Sequence, residues 1–218
     1  MPVSLFAAAL AVAAAPVFDT ACLAAVRPAP DELTEVPHCA AVVQGVPRWN
    51  PAVLRRFVFD ARGLAGVALA GEGWRWVRPD GRSAPVLTYD NGPDEFVSGL
   101  ARGMLNGGIA YYDRRLGLAL ATPYEWAEPF EDGLAVVCQG CAPRAHGEHT
   151  LMAGGKWGAI DRSGRLVVPL RDDAASARRE AQAARHGARP QPAAPRQPHL
   201  AGRTWPAAPG RPHLAGRT

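Results

Sequence analysis

The tripeptide Gly-Leu-Ala occurs three times in this chain of 218 residues, at 63–65, 99–101 and 133–135, and each copy follows a phenylalanine: Phe59, Phe96 and Phe130. Spacings of 36 and 34 residues between Gly63, Gly99 and Gly133 mark a structural repeat. A unit that short cannot bury an apolar face alone, so copies must stack and share a core. A second element trails each copy: "GWRWVRPDGR" from Gly73, "GIAYYDRRLG" from Gly108 and "KWGAIDRSGR" from Lys156. Aligning Trp74, Ile109 and Trp157 gives spacings of 35 and 48, so some 14 residues are inserted in the last unit, the length of the stretch "CQGCAPRAHGEHT" from Cys138.

The second element reads as a β-hairpin. In "WGAIDRSGRLVVP" an alternating run is followed by Asp161-Arg162-Ser163-Gly164 and then by a β-branched run. Aspartate at the first and glycine at the fourth position fit a type I turn in which Gly164 takes positive φ. "WRWVRPDGR" repeats the plan, with Pro79 preset for the turn. A lone hairpin is marginal in water. The expected fold is therefore all-β, an array of about three antiparallel β-hairpin repeats over residues 55–170, followed by a disordered C-terminal tail. Trp74, Trp76, Trp126 and Trp157 are expected to fill the space between hairpins rather than line an open groove.

"FEDGLAVV" and "GGKWGAIDRSGRLVVP" resemble the WG-repeat family of bacterial proteins, whose pattern pairs a Phe-x-x-Gly-Leu-Ala strand with a later Trp-Gly-x-Ile-Asp-x-x-Gly hairpin. The last copy matches through Trp157, Gly158, Ile160, Asp161 and Gly164. Earlier copies depart from it: Ile109 and Ala110 stand where Trp-Gly would be, Leu116 takes the turn glycine's place, and Arg75 follows Trp74. The resemblance implies an interaction or scaffold module and carries no catalytic residues with it.

The flanks differ in character. Residues 3–15 are uncharged and apolar, too few to span a bilayer, with Ala11-Val12-Ala13 as a small-residue cleavage site. Residues 1–15 thus resemble a secretory leader, although no Lys or Arg precedes the apolar run. A periplasmic or secreted protein is expected, and a cytoplasmic one with a buried N-terminal segment is the alternative. No other apolar run is long enough for a membrane helix, so none is expected in the mature chain. Residues 16–54 are turn-rich and disulfide-prone, with Cys22 and Cys39 as candidates and a short helix in "NPAVLRRF" capped by Asn50. Residues 171–187 have helix-favouring composition. Residues 188–218 turn to Pro, Arg and Ala, repeat "PHLAGRT", and are expected to be disordered. Residues 171–218 hold nine arginines against three carboxylates, so they carry +6 of the net +4 and leave −2 for the rest. The basic balance belongs to the tail, and no nucleic-acid partner is expected.

The inserted stretch holds Cys138, Cys141, His146 and His149. Thiolates and imidazoles suit tetrahedral zinc, and Cys-x-x-Cys suits thiol redox chemistry. Here, however, a strand-like "GLAVV" runs into the motif and Gly140 and Pro143 favour a turn, so a disulfide between Cys138 and Cys141 is the leading expectation. The acidic "DNGPDE" (Asp90 to Glu95) lacks the alternation of a calcium loop and reads as a solvated turn. There is no Gly-x-Ser-x-Gly elbow and no phosphate-binding loop. The expectation is a non-enzymatic module without a cofactor that binds a protein or a cell-envelope polymer. The alternative is a metal-binding or thiol-redox protein using the four Cys/His residues, with zinc as the ion. No polar cap is evident at either end of the array, so edge strands would be open to a second chain.

Overall fold

The structure, a computed structural model, describes residues 15–147 and 149–187. Nearly all of the leader-like segment and the whole tail 188–218 lie outside the described residues.

The first sheet has six strands: β1 (Thr20–Val26), β2 (Ala29–Val43), β3 (Val46–Trp49), β4 (Ala65–Leu69), β5 (Gly73–Val77) and β6 (Ser83–Pro85). Their order is β3-β2-β1-β4-β5-β6 with antiparallel neighbours. The helix α1 (Pro51–Leu54) follows β3, capped by Asn50 as its sequence suggests: Oδ1 accepts from the Ala52 amide. A small ribbon, β7 (Thr88–Tyr89) and β8 (Gly92–Pro93), leads to a three-stranded sheet, β9 (Leu100–Leu105), β10 (Gly108–Asp113) and β11 (Leu118–Ala121), ordered β11-β10-β9. The last part holds β12 (Trp126–Ala127), β13 (Leu134–Gln139), β14 (Ala142–His146), β15 (His149–Ala153), β16 (Lys156–Asp161), β17 (Leu166–Arg171) and the helix α2 (Ala174–Gly187). The order there is β12-β13-β16-β17, with β14 and β15 paired separately. The fold is all-β, as expected.

The repeat is larger than the hairpin read from the sequence. Each unit is a three-stranded meander, β4-β5-β6, β9-β10-β11 and β13-β16-β17, because the Gly-Leu-Ala segment opens a strand that pairs with the Trp-containing one. Ser98-Gly99 and Asp132-Gly133 both have positive φ, and Val97 with Leu100, like Glu131 with Leu134, exchange both backbone hydrogen bonds at 3.0 Å. That is a type I′ turn, whose twist matches the strands it joins. The Asp-x-x-Gly turn is as expected: Gly164 has φ +84° and its amide donates to the Asp161 carbonyl at 2.9 Å. Leu116 holds the same left-handed conformation in the second repeat, at φ +63°.

Cores lie within and between the units. Trp74, Ile109 and Trp157, the aligned repeat positions, are 9%, 1% and 3% exposed. Trp74 packs with Val86 and Ala101 between the first two units. Between the second and third, Ile109 and Tyr111 meet Phe130, Val137 and Ile160. Phe130 is fully buried, whereas Phe59 and Phe96 are half-buried. Arg114 lies over Phe96 and Arg162 over Phe130, 4.7 and 5.6 Å from the ring centroids, a contact the two repeats share.

Further elements join the array at both ends, while β3 and β17 remain edge strands of their sheets. Residues 16–54 are strands rather than turns, and β1 extends the first repeat's sheet through Cys22↔Leu69 and Ala24↔Val67. A disulfide joins Cys22 to Cys39 inside that core. At the other end α2 lies on the third repeat with Ala177 and Ala181 fully buried against Val136, Trp157, Ala159 and Val168. The alanine face lets α2 approach the sheet closely, and packing rather than propensity supplies most of its stability. Asp173 caps it, accepting from the Ala175 and Ser176 amides at 3.0 Å. Among the described residues no helix is long and apolar enough to cross a membrane.

Candidate functional site

The insertion leaves the third repeat between β13 and β16 and returns as the two-stranded arm β14–β15. Its root is tight. Cys138 and Cys141 are joined by a disulfide, buried among Val136, Trp157 and Met152. Glycine is required at 155, where a Cβ would collide with backbone atoms of Gln139, Gly140 and Cys141. The Gly154 carbonyl accepts from Trp157 Nε1 at 2.8 Å, and Glu125 accepts from the Gly140 amide at 2.8 Å. The arm is therefore pinned at both feet while β14 is exposed along its length.

The structure does not bring the four Cys/His residues together. The cysteines close the root, and His146 pairs with His149 at the far end of five consecutive cross-strand pairs starting at Ala142↔Ala153. At about 3.4 Å per residue, that places the histidine pair roughly 14 Å beyond the root, too far for one ion to reach both sets. Among the described residues no group of three His, Cys, Asp or Glu is placed to hold a metal. The cystine between Cys138 and Cys141 agrees with the leading expectation for the insertion, and a strand hairpin spans the residues from there to His146 and His149.

A groove of about 500 Å³ opens between the arm and α2, lined by Trp126, Glu128, Pro143, Thr150, Leu151, Met152, Trp157 and Arg178. Trp157 belongs to the core and is nearly covered, with the Arg178 guanidinium 5.3 Å from its ring centroid. Trp126 is only half-buried, which departs from the all-core reading of the tryptophans. It sits on β12, opposite Cys138. Its ring also lines a second depression of about 280 Å³ with Tyr89, Glu95, Val97 and Pro129. A third, of about 430 Å³, runs along α2 past Glu128, Glu131, Asp132, Gln182 and Arg185, sharing Glu128 and Arg178 with the groove. Three hollows thus meet around residues 126–129.

Ion pairs fix the walls. Glu128 bonds Arg178 at 2.7 Å and Glu131 bonds Arg185 at 2.8 Å, tying α2 to the 128–131 loop. Beneath Trp126 lies a buried pair between Arg102 and Asp94. The carboxylate accepts from the Arg102 backbone amide at 2.7 Å and from its Nε at 3.2 Å, and Nη1 donates to the Ala127 carbonyl at 3.1 Å. The Arg102 guanidinium stands 5.3 Å from the Trp126 centroid and so positions the ring. This corrects the solvated-turn reading of "DNGPDE": Asp90 and Asn91 form the β7–β8 turn at positive φ, but Asp94 is 3% exposed. Nothing in the local sequence signals that pair, since strand register alone brings Arg102 over Asp94. Tyr111 donates to the Glu128 carbonyl at 2.7 Å, and burial pushes its phenol well above the ordinary range, so it stays a neutral donor. Of the carboxylates lining these hollows, Glu128 and Glu131 are ion-paired to Arg178 and Arg185.

A family model described as WG containing repeat matches residues 124–140. That stretch covers β12, the Phe130 turn, β13 and Cys138, which is a short part of one repeat. Comparisons with curated proteins and with solved structures return no match.

Proposed function

We propose that this chain is a non-enzymatic interaction module of WG-repeat type that binds an extended segment of a partner, a protein or a cell-envelope polymer, in the groove between the β14–β15 arm and α2. The observation that supports the reading most directly is Trp126, a half-buried indole held by Arg102 that lines two adjoining hollows. Half-exposed aromatic rings over rigid strands are favoured recognition anchors. Export to an oxidising compartment is part of the proposal. Two cystines support it, as do the leader-like residues at the N-terminus.

The arm can be removed with the root disulfide left in place, at the loss of Met152, which packs on it. Replacing residues 143–152 by Asn-Gly leaves both cysteines and closes the Ala142↔Ala153 pair with the turn that Asn106-Gly107 uses in the second repeat. The shortened chain is expected to keep its circular dichroism spectrum. Peptides selected by display on the unaltered chain should lose binding to it and to Leu151→Asp, a substitution at an exposed arm position. Selected peptides that bind all three forms equally would move recognition away from the groove.

A further inference from the structure

In each repeat a turn joins the second strand to the third, at 78–82, 113–117 and 161–165, and each turn carries arginines. Printed along the chain they are far apart, but a run of contacts sets them side by side. A Cβ at Gly63 would lie 3.8 Å from Arg78 Nη2, which places the Arg62 turn beside Arg78. Arg78 Nη1 donates to the Arg114 carbonyl at 3.1 Å, and Arg82 Nη1 to the Arg115 carbonyl at 3.4 Å. Arg114 lies over Phe96, and two residues on the Ser98 carbonyl accepts from Arg162 Nη2 at 2.6 Å. The row thus crosses all three repeats. Two of its carboxylates, Asp80 and Asp161, are spent on Arg82 and Arg165. Asp60 and Asp113 each turn one oxygen to two backbone amides of their own turn. Glu131 and Asp132, on the turn before β13, have partners elsewhere. Arg62, Arg78, Arg114, Arg115 and Arg162 form no ion pair among the described residues. The carbonyls and rings that hold three of them fix the guanidinium without neutralising it. Residues 1–170 carry −2 in all, so folding rather than composition makes this row.

We propose that this row of turn arginines binds a linear phosphate-bearing polymer. Charge complementarity carries the assignment. Five unpaired guanidinia stand against two carboxylates that are turned to backbone amides, and Arg62, Arg115 and Arg162 are exposed. The sequence beyond Gly187 contains no Asp or Glu, so it offers these arginines no carboxylate side chain. A guanidinium fork matches a phosphate with two parallel hydrogen bonds, and the tetrahedral oxygens accept from more than one direction. Arginines already held by carbonyls and rings lose less freedom when they bind. Recurrence along the row favours a polymer over a small anion, because packed sheets stand about 10 Å apart and one phosphate cannot reach arginines of successive repeats. None of these arginines lines the hollows described above, so the surface offers charge without pockets for peptide side chains. Phe96 and Phe130 lie under guanidinia, which leaves no open ring for a base to stack on. The row is separate from the groove beside the arm and goes beyond the reading proposed for it.

The test measures binding of long-chain inorganic polyphosphate to the full chain over a range of salt concentrations. Arg62→Gln/Arg115→Gln removes two exposed guanidinia that hold no other side chain, so the melting temperature should not move. Affinity should fall roughly tenfold, and the slope of log affinity against log salt should drop by about one, since each lost phosphate contact releases fewer counterions. Arg62→Lys/Arg115→Lys should keep most of the affinity and the full slope. Arg144→Gln/Arg171→Gln, which removes the same charge from the arm and from the far end of β17, should bind as the unaltered chain does. Tripolyphosphate should bind at least roughly a hundredfold more weakly than the polymer, because it cannot engage several repeats at once. Equal losses in the two glutamine variants would overturn the row and leave binding to overall charge. Unchanged affinity in Arg62→Gln/Arg115→Gln would overturn it in favour of arginines elsewhere, those beyond Gly187 included. Tighter binding of poly-glutamate, oligothymidylate or phosphatidylglycerol vesicles at equal charge would overturn the choice of polymer. Leu151→Asp should leave polyphosphate binding intact, which separates this surface from the groove.

Discussion

The second and third repeats share a meander, a type I′ turn and an Asp-x-x turn, yet at one register position they solve burial in opposite ways. Arg102 and Val136 each follow the Gly-Leu-Ala segment by one residue, and they are 5% and 1% exposed. In the first repeat the same position is Gly66, where a Cβ would press on Pro93. Val136 is covered by the alanines of α2. Arg102 is covered by Asp94, the Ala127 carbonyl and the Trp126 ring. The repeat dictates that the position points inward. The groups packed over it differ between copies, and only the arginine solution holds up a half-exposed tryptophan at the groove.

Removing one partner breaks that comparison most. Arg102→Met leaves a carboxylate with only 4% side-chain exposure and no counter-charge, and should cost about 3–5 kcal/mol in denaturant unfolding. Adding Asp94→Leu converts the site to the apolar solution of Val136 and should recover most of that loss, since a buried pair often contributes little net stability. If the double variant stays as unstable as the single one, the pair's role extends beyond filling the position.

The two disulfides come next. Cys22–Cys39 closes a sequence separation of 17 and Cys138–Cys141 one of 3. On chain entropy the first should contribute about 3 kcal/mol and the second under about 2 kcal/mol. Replacing each pair with alanines and comparing melting temperatures checks the order. The second replacement should also loosen the arm, seen as faster amide exchange at residues 142–146.

The smallest effect is acid titration of the third repeat's turn. Asp161 accepts from the Ser163 hydroxyl first, and from the Arg165 and Ser163 amides, which holds its carboxyl near about 2. A carboxyl depressed in the folded state contributes stability that is present above its unfolded pKa, about 3.9, and lost as pH falls toward 2. Asp161→Asn should lower the melting temperature slightly at pH 7 and flatten its fall between pH 4 and 2. An unchanged acid slope would remove Asp161 from that account.

Features carried by local sequence were readable in advance. The Asp161–Gly164 turn, the Asn50 cap and the helix that the structure places at Ala174–Gly187 depend on residues within a few positions of one another, and the repeat and its insertion show as spacings along the chain. The departures from the Trp-Gly pattern were readable too, but their accommodation was not. Gly158 lies where a Cβ would meet the Val168 carbonyl, whereas Arg75 fits the equivalent place in the first repeat by turning its Nε to Ser83 Oγ. Strands β1 and β2 were hidden because residues 16–54 show no clean alternation; β2 is exposed over much of its length and is buried at Val36 and from Cys39 to Ala41. Spacing in sequence left a single Cys/His centre open as the alternative to a disulfide, because it says nothing about whether a chain folds back between the residues.

The sequence by itself determined a stacked β-repeat with an insertion in the last unit, because periodicity and turn chemistry are local properties that any packing must respect. Only the tertiary structure decided that β1 and α2 pack onto the repeats, that Asp94 is buried under Arg102, and that Trp126 stands half-exposed between two hollows. Those outcomes depend on which side chains face one another across strands and repeats, and register and close packing set those partners rather than neighbours along the chain.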